Sequence, residues 1–153
     1  MTTPGTLDAS DPFTPQARHL AVVSGGSGGP SQTRMLAERL AESASAALSE
    51  HGVVPQIHLI TLRELAVDIA QALVTFAISP ALRAALDEVA QADAVIAVSP
   101  TYKASYSGLF KSFWDLAEPT SVVGVPVLLG ATGGTARHSL MIDTAMRPLF
   151  AYL

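Results

Sequence analysis

Three short apolar runs, each cut off by turn-forming residues, constrain this chain more than anything else in it. Leu20-Ala21-Val22-Val23 runs into a Gly/Ser cluster at residues 24–29, and Ala94-Val95-Ile96-Ala97-Val98 stops at Ser99-Pro100. Val125-Pro126-Val127-Leu128-Leu129 leads into Thr132-Gly133-Gly134. The runs are continuous rather than alternating, the pattern of parallel strands covered on both faces. A weaker strand candidate covers residues 54–61. Helical spacing fills the intervals. Across residues 33–48, Leu36, Leu40, Ala44, Ala47 and Leu48 form one stripe. Pro80 opens a segment with Leu82, Leu86 and Val89 on one face. From Tyr106, the residues Leu109, Phe110, Phe113, Trp114 and Leu116 span an arc wider than one core-facing stripe needs. A last helical segment covers residues 136–153, while residues 62–79 fit a helix or a loop. Strands alternating with helices mean βαβ units, right-handed crossovers and a parallel sheet, an α/β fold.

A chain of 153 residues suits one domain, and its 49% hydrophobic content supplies one core amply. Only 14% of the residues are charged, so much apolar surface needs hiding and self-association is expected. The formal net charge of −4 offers no basic stripe and argues against nucleic acid as a partner. The lack of cysteine removes disulfides, iron–sulfur clusters and thiol catalysis, and it suits a cytoplasmic protein. Residues 1–18 have neither the basic start nor the apolar run of a signal peptide; they read as a flexible tail ahead of a domain at 19–153. No stretch reaches the roughly 18 apolar residues of a spanning helix, so no membrane is expected. No internal repeat is present.

Ligands of open parallel sheets bind outside the carboxyl ends of the strands. The loop Ser24-Gly25-Gly26-Ser27-Gly28-Gly29-Pro30-Ser31-Gln32-Thr33 enters a helix there. It offers unpaired backbone N–H groups and the positive end of a helix dipole, with the Ser31 and Thr33 hydroxyls as further donors. An anion suits this loop better than a plain turn capped by Ser31. A P-loop needs Gly-Lys-Ser/Thr, and no lysine is present in the loop. Gly26 and Gly28 have the spacing of a dinucleotide fingerprint, but Ser31 stands at its third glycine and no acid near Thr61 is available for a ribose. A receiver domain would need acids where Ser24-Gly25 and Ser99-Pro100 stand. The phosphomonoester of a flavin fits best. The second loop, Ser99-Pro100-Thr101-Tyr102-Lys103-Ala104-Ser105-Tyr106-Ser107-Gly108, either borders a planar ring with free amides or packs its tyrosines on the core. Thr132-Gly133-Gly134 either lets backbone approach a ligand or simply turns.

The strings PTYKASYSGLFKSFWD, LLGATGGTARH and DTAMRPL resemble the NADPH-dependent FMN reductase family, and most of all the two-component flavin reductases serving sulfonate and related monooxygenases. The resemblance covers residues 20–153 and implies a flavodoxin-like, doubly wound parallel sheet of strand order 2-1-3-4. It implies FMN as cofactor and NADPH or NADH as reductant. Carried over by position, Ser24, Ser27, Ser31, Gln32 and Thr33 hold the FMN phosphate. Pro100, Thr101, Tyr102, Lys103, Ala104 and Ser105 border the flavin ring, as do Thr132, Gly133 and Gly134. Tyr106 matches a tyrosine associated with a π-bulge at a subunit interface in some of these reductases, and a homo-oligomer is expected through the helix at 106–117. No side chain is expected to be a nucleophile and no metal is expected. A hydride passes from the nicotinamide to the flavin, with the protein supplying position, donors and exclusion of water.

Two departures from the family pattern stand out. Many relatives carry Gly-Ser-x-Arg in the phosphate loop where this chain has Gly25-Gly26-Ser27-Gly28, which removes a bidentate phosphate contact. The family also continues past Leu153 with a fifth strand and a covering helix, so the resemblance implies a domain cut at its C-terminus with the fourth strand as an exposed edge. His19, His51 and His58 have no ligand spacing and read as separate surface or strand-edge groups. His138 follows the Thr-Gly-Gly turn, where it either approaches the ring or is a plain first-turn residue. Lys103 reads as a solvated or phosphate-neutralising cation. The competing functions are an FMN-retaining quinone, azo or metal-oxyanion reductase, an electron carrier, and a flavin-free interaction subunit.

Overall fold

The computed structural model describes residues 16–153, so the expected tail lies outside the described residues except for its last three positions, which are already strand. Four parallel strands form the sheet: β1 (Gln16–Ser24), β2 (Val53–Thr61), β3 (Ala94–Tyr102) and, after a short β4 (Ser105–Tyr106), β5 (Val127–Thr132). Their order is β2-β1-β3-β5, as the sequence leads one to expect once the two-residue β4 is set aside. Register runs from Gln16 opposite Val53 to Ser24 opposite Thr61, and from Leu20 opposite Ala94 to Ser24 opposite Val98. β5 follows β3 from Val95 opposite Val127 to Pro100 opposite Thr132. Ser24, Thr61, Val98 and Gly130 therefore lie level, with β3 and β5 running on to Tyr102 and Thr132, and the loops that follow open on one side of the molecule. Among the described residues β5 pairs on one side only, and Leu128 on it stays 47% exposed.

Caps explain where the helices begin. α1 (Gln32–Glu50) starts after Ser31, whose Oγ accepts from the Arg34 N–H at 3.2 Å. The undecided interval at 62–79 resolves into a 3₁₀ turn (Leu62–Leu65), α2 (Ala66–Thr75) and a linker ending at Ser79. Ser79 then caps α3 (Pro80–Ala90), with Pro80 in the first turn where its missing N–H costs nothing. Ser107 caps α4 (Gly108–Leu116). The last segment is broken, with a 3₁₀ turn (Ala136–His138), a π-helical turn (Ile142–Met146) and α5 (Arg147–Tyr152). The π turn is thus here, whereas Tyr106 belongs to β4.

The two faces of the sheet are buried differently. Ala21, Val23, Ile60, Val95 and Ala97 face a thick layer holding Leu62, Ile69, Leu82, Leu86, Val89, Phe110, Phe113, Trp114, Met141 and Met146. Leu20, Val22, Ile96 and Val98 face α1 alone, through Ala37, Ala41, Leu36 and Leu40. Phe110, Phe113 and Trp114 are fully buried, and Trp114 meets Phe150 edge-on at 4.8 Å between ring centres. Much of the wide apolar arc of α4 is filled by its own chain, because Met141, Met146 and Phe150 pack into the same core, while Tyr106, Leu109 and Leu116 stay partly accessible. Exposed apolar residues include Val67, Val74 and Phe76 on α2 and its end. Among the described residues no single helix is long and apolar enough to cross a membrane.

Candidate functional site

Three loops meet beyond the strand ends around a cleft of about 340 Å³, within the range of small-molecule sites. Its wall consists of Gly26, Ser27, Gly28, Pro30, Ser31, Gln32 and Thr33 from the loop after β1, Pro100, Thr101 and Tyr102 from the end of β3, and Thr132, Gly133 and Gly134 after β5. Sequence reasoning selected ten of these thirteen positions.

The first loop is shaped by what lies under it. The Gly25 N–H donates to the Val98 carbonyl at 2.8 Å, extending the sheet by one bond. A Cβ on Gly25 would sit 2.8 Å from Cδ2 of Phe110, and one on Gly26 would sit 2.3 Å from Ser31 Oγ. Only glycine lets this backbone press onto α4 below and fold over the start of α1 above. By helix geometry the amides of Ser31, Gln32 and Thr33 have no partner one turn back, so they and the positive helix end face the cleft. The Thr33 hydroxyl is buried and shares a 2.8 Å hydrogen bond with the Thr132 hydroxyl, tying the first loop to the third. Ser27 and Tyr102 hydroxyls lie 3.2 Å apart across the mouth.

The second loop is locked from within. Ser99 Oγ donates to the Pro100 carbonyl at 2.9 Å and accepts from the Ser107 N–H at 3.0 Å. Ser107 Oγ donates to the Gly25 carbonyl at 3.0 Å and accepts from the Phe110 N–H at 3.1 Å. Both serines are buried. Neither was singled out for the site in the sequence, although a serine just ahead of an apolar helical run is the signal of an N-cap.

Four expected site residues are not on the cleft wall. Ser24 is fully buried within the strand ends, its Oγ lacking a partner, because β1 is paired on both sides there. Lys103 and Ala104 are the exposed tip of the β3–β4 hairpin, at φ 51° and 68°. Two positive φ angles in a two-residue loop are the hairpin geometry that matches strand twist, here adopted by two non-glycine residues at a cost. The chain then turns back, and Ser105 borders a separate hollow with Tyr106, Lys111, Thr144 and Tyr152. In that hollow Asp115 holds the Lys111 ammonium above its ordinary pKa. His138 also stays off the wall: it packs behind Gly133, where a Cβ would lie 3.1 Å from its Nδ1.

A second hollow, of about 450 Å³, adjoins the other flank of the first loop and adds Arg34, Thr61, Arg63 and Glu64. Arg34 is engaged by Glu38 at 2.8 Å and by Glu64 at 3.8 Å, and the Glu38 contact raises its pKa. The Arg63 guanidinium lies over Gly29, where a Cβ would be 2.3 Å from Nη1. Sequence spacing gave no reason to link Arg63 to this loop.

A cleft of this make-up, with unspent amides at a helix start on one side and a proline–tyrosine edge on the other, defines an α/β protein that takes a flat ligand with an anionic tail. The comparisons with known proteins agree. A family model described as NADPH-dependent FMN reductase matches residues 19–153. The NADH-dependent FMN reductase SfnF of Pseudomonas putida is 43% identical over 133 residues, which are 87% of this chain and 69% of that one. An FMN reductase (NADPH) of Pseudomonas aeruginosa is 37% identical over the same shares. Among solved structures, an oxidoreductase from Corynebacterium diphtheriae superposes with a TM-score of 0.87 at 38% identity, covering 90% of this chain and 75% of that one. The apo form of an NADH:FMN oxidoreductase, EMOB, gives 0.74 at 31%, covering 86% and 67%. The chain belongs to the NADPH-dependent FMN reductase family.

Proposed function

We propose that this chain reduces FMN with NADPH or NADH in the cleft at the strand ends. The observation that carries the reading is the junction of the first loop with α1, where Gly26 lets the loop close onto the Ser31 and Thr33 side chains and the amides of Ser31, Gln32 and Thr33 have no partner within their own helix. Those amides, with the Ser27 and Ser31 hydroxyls, would hold the FMN phosphate. Thr33 would act by fixing Thr132, its hydroxyl being already engaged. Arg63 would supply the cation that the loop itself lacks. Pro100, Thr101, Tyr102 and the turn at Thr132, Gly133 and Gly134 would border the ring. Bound flavin supplies the hydride-accepting centre. The protein's part is to hold the ring beside the nicotinamide and to aim fixed donors at it.

The same proposal extends to what becomes of the product. An open cleft and a phosphate loop without its own arginine support release of reduced FMN to a flavin-dependent monooxygenase. A low charge content and the exposed Val67, Val74 and Phe76 support a homo-oligomer. The cysteine-free sequence supports a cytoplasmic location.

Ser31→Ala tests the phosphate assignment. A hydrogen bond to a charged acceptor contributes about 1.5–3 kcal/mol, so fluorescence titration should show FMN binding weakened by roughly ten- to hundredfold. Riboflavin, which lacks the phosphate, should bind as before. Loss of the cap alone would cost about 1 kcal/mol of stability and affect both flavins equally, and equal effects would refute the assignment.

A further inference from the structure

Partway along β1 and β2, short of the cleft, the fold brings together side chains that their spacing in the sequence keeps apart. His19 on β1 and His58 on β2 lie on one face of the sheet, because the register sets His58 opposite Ala21, two residues beyond His19. Their rings stack at 5.5 Å between centres, inclined by only 7°. α3 crosses this face and delivers Glu88, whose Oε2 lies 3.0 Å from His58 Nδ1. The ligand atoms of all three lie within 4.8 Å of one another, and all three residues are partly accessible. His58 Nε2 is buried and has no hydrogen-bond partner among the described residues. Asp93, the nearby acid, is committed elsewhere. The His19 N–H and the Arg18 guanidinium occupy its two oxygens at 2.8 and 2.9 Å and hold its carboxyl below the usual carboxylate range.

We propose that His19, His58 and Glu88 form a site for a divalent transition-metal ion of the zinc class. Two imidazoles and one carboxylate are a recurrent three-residue zinc set, leaving a fourth position for water. Nitrogen–oxygen ligation of this kind disfavours calcium and magnesium, which prefer oxygen alone. A tetrahedral zinc ion needs ligand atoms about 3.3 Å apart. The His58–Glu88 pair already meets that distance, and side-chain rotation of His19 closes the rest. An ion lies in the plane of every ring that binds it, so uptake unstacks the two imidazoles. With the ion on His58 Nδ1, Glu88 ligates it directly in place of its present contact with that nitrogen. The site joins β1, β2 and α3, so occupancy stabilises the fold. His19 lies five residues and His58 three residues from the cleft ends of their strands, roughly 16 and 10 Å, and metal uptake there does not depend on flavin chemistry.

The test uses the whole chain after chelator treatment, with ZnCl₂ followed by calorimetry and CoCl₂ by visible absorption. One ion per chain and a higher melting temperature with zinc are expected. His19→Gln and His58→Gln should each weaken binding by more than about tenfold, since losing even an outer partner of a ligand costs about that much. His51→Gln, remote from the cluster, should change nothing. Should a histidine variant fail to fold, Glu88→Gln, with its side chain 41% exposed, carries the same test through a loss of affinity. No saturable uptake at micromolar zinc, or uptake unaltered in these variants, overturns the proposal.

Discussion

The loops after β1 and β3 border the same cleft, yet their polar groups are used in opposite ways. In the β3 loop, Ser99 and Ser107 are buried and their hydroxyls are engaged, Ser99 with the Pro100 carbonyl and the Ser107 N–H, Ser107 with the Gly25 carbonyl and the Phe110 N–H. In the β1 loop, Ser27 and Gln32 are exposed and the amides at the start of α1 are left without partners in their own helix. The locked loop sets the position of the open one, because Ser107 holds the Gly25 carbonyl. The open loop keeps its donors for a ligand. Scaffold and binding functions are thus divided between neighbouring segments of similar composition, and burial is what divides them.

Three substitutions sharpen that contrast. Ser107→Ala should have the largest effect, because it removes the α4 cap and leaves the buried Phe110 N–H and Gly25 carbonyl unpaired. A loss of about 2–4 kcal/mol is expected, read as a lower urea midpoint with unchanged slope, and FMN and riboflavin should weaken together. A variant as stable as the parent would show that the second loop is not locked by this serine. Arg63→Gln acts on the open side. Its guanidinium is exposed, so FMN affinity should fall only about two- to fivefold, the difference should shrink in high salt, and riboflavin should be unaffected. A salt-independent loss shared by both flavins would remove Arg63 from the phosphate site. The smallest effect is expected at the hairpin tip. Ala104 occupies the left-handed region at φ 68°, which costs a non-glycine residue about 1–2 kcal/mol. Ala104→Gly should recover roughly 0.5–1 kcal/mol after the added chain entropy, with flavin binding unchanged since Ala104 is off the wall. Altered FMN affinity in that variant would return the hairpin tip to the site.

The sequence by itself determined the strands, most of the helices and the loops that carry the site, because these depend on local signals. Apolar runs stopped by Gly, Ser or Pro mark strands buried on both faces, and Ser31 and Pro80 mark helix starts within a residue or two. Parallel pairing follows from the alternation of strands and helices, and the strand order from the resemblance to the family. Only the tertiary structure decided which members of those loops face the cleft. Ser24 and Ser31 are equivalent in composition, but pairing on both sides buries the first while a helix start presents the second. Likewise, nothing local shows that much of the apolar arc of α4 is covered by Met141, Met146 and Phe150 of the same chain. The meeting of His19, His58 and Glu88 is the furthest from local information: it needs the β1–β2 register and the placement of α3 together. A slip of one residue in that register would turn His58 to the other face, since side chains alternate along a strand, and so spacing alone carries no trace of the cluster.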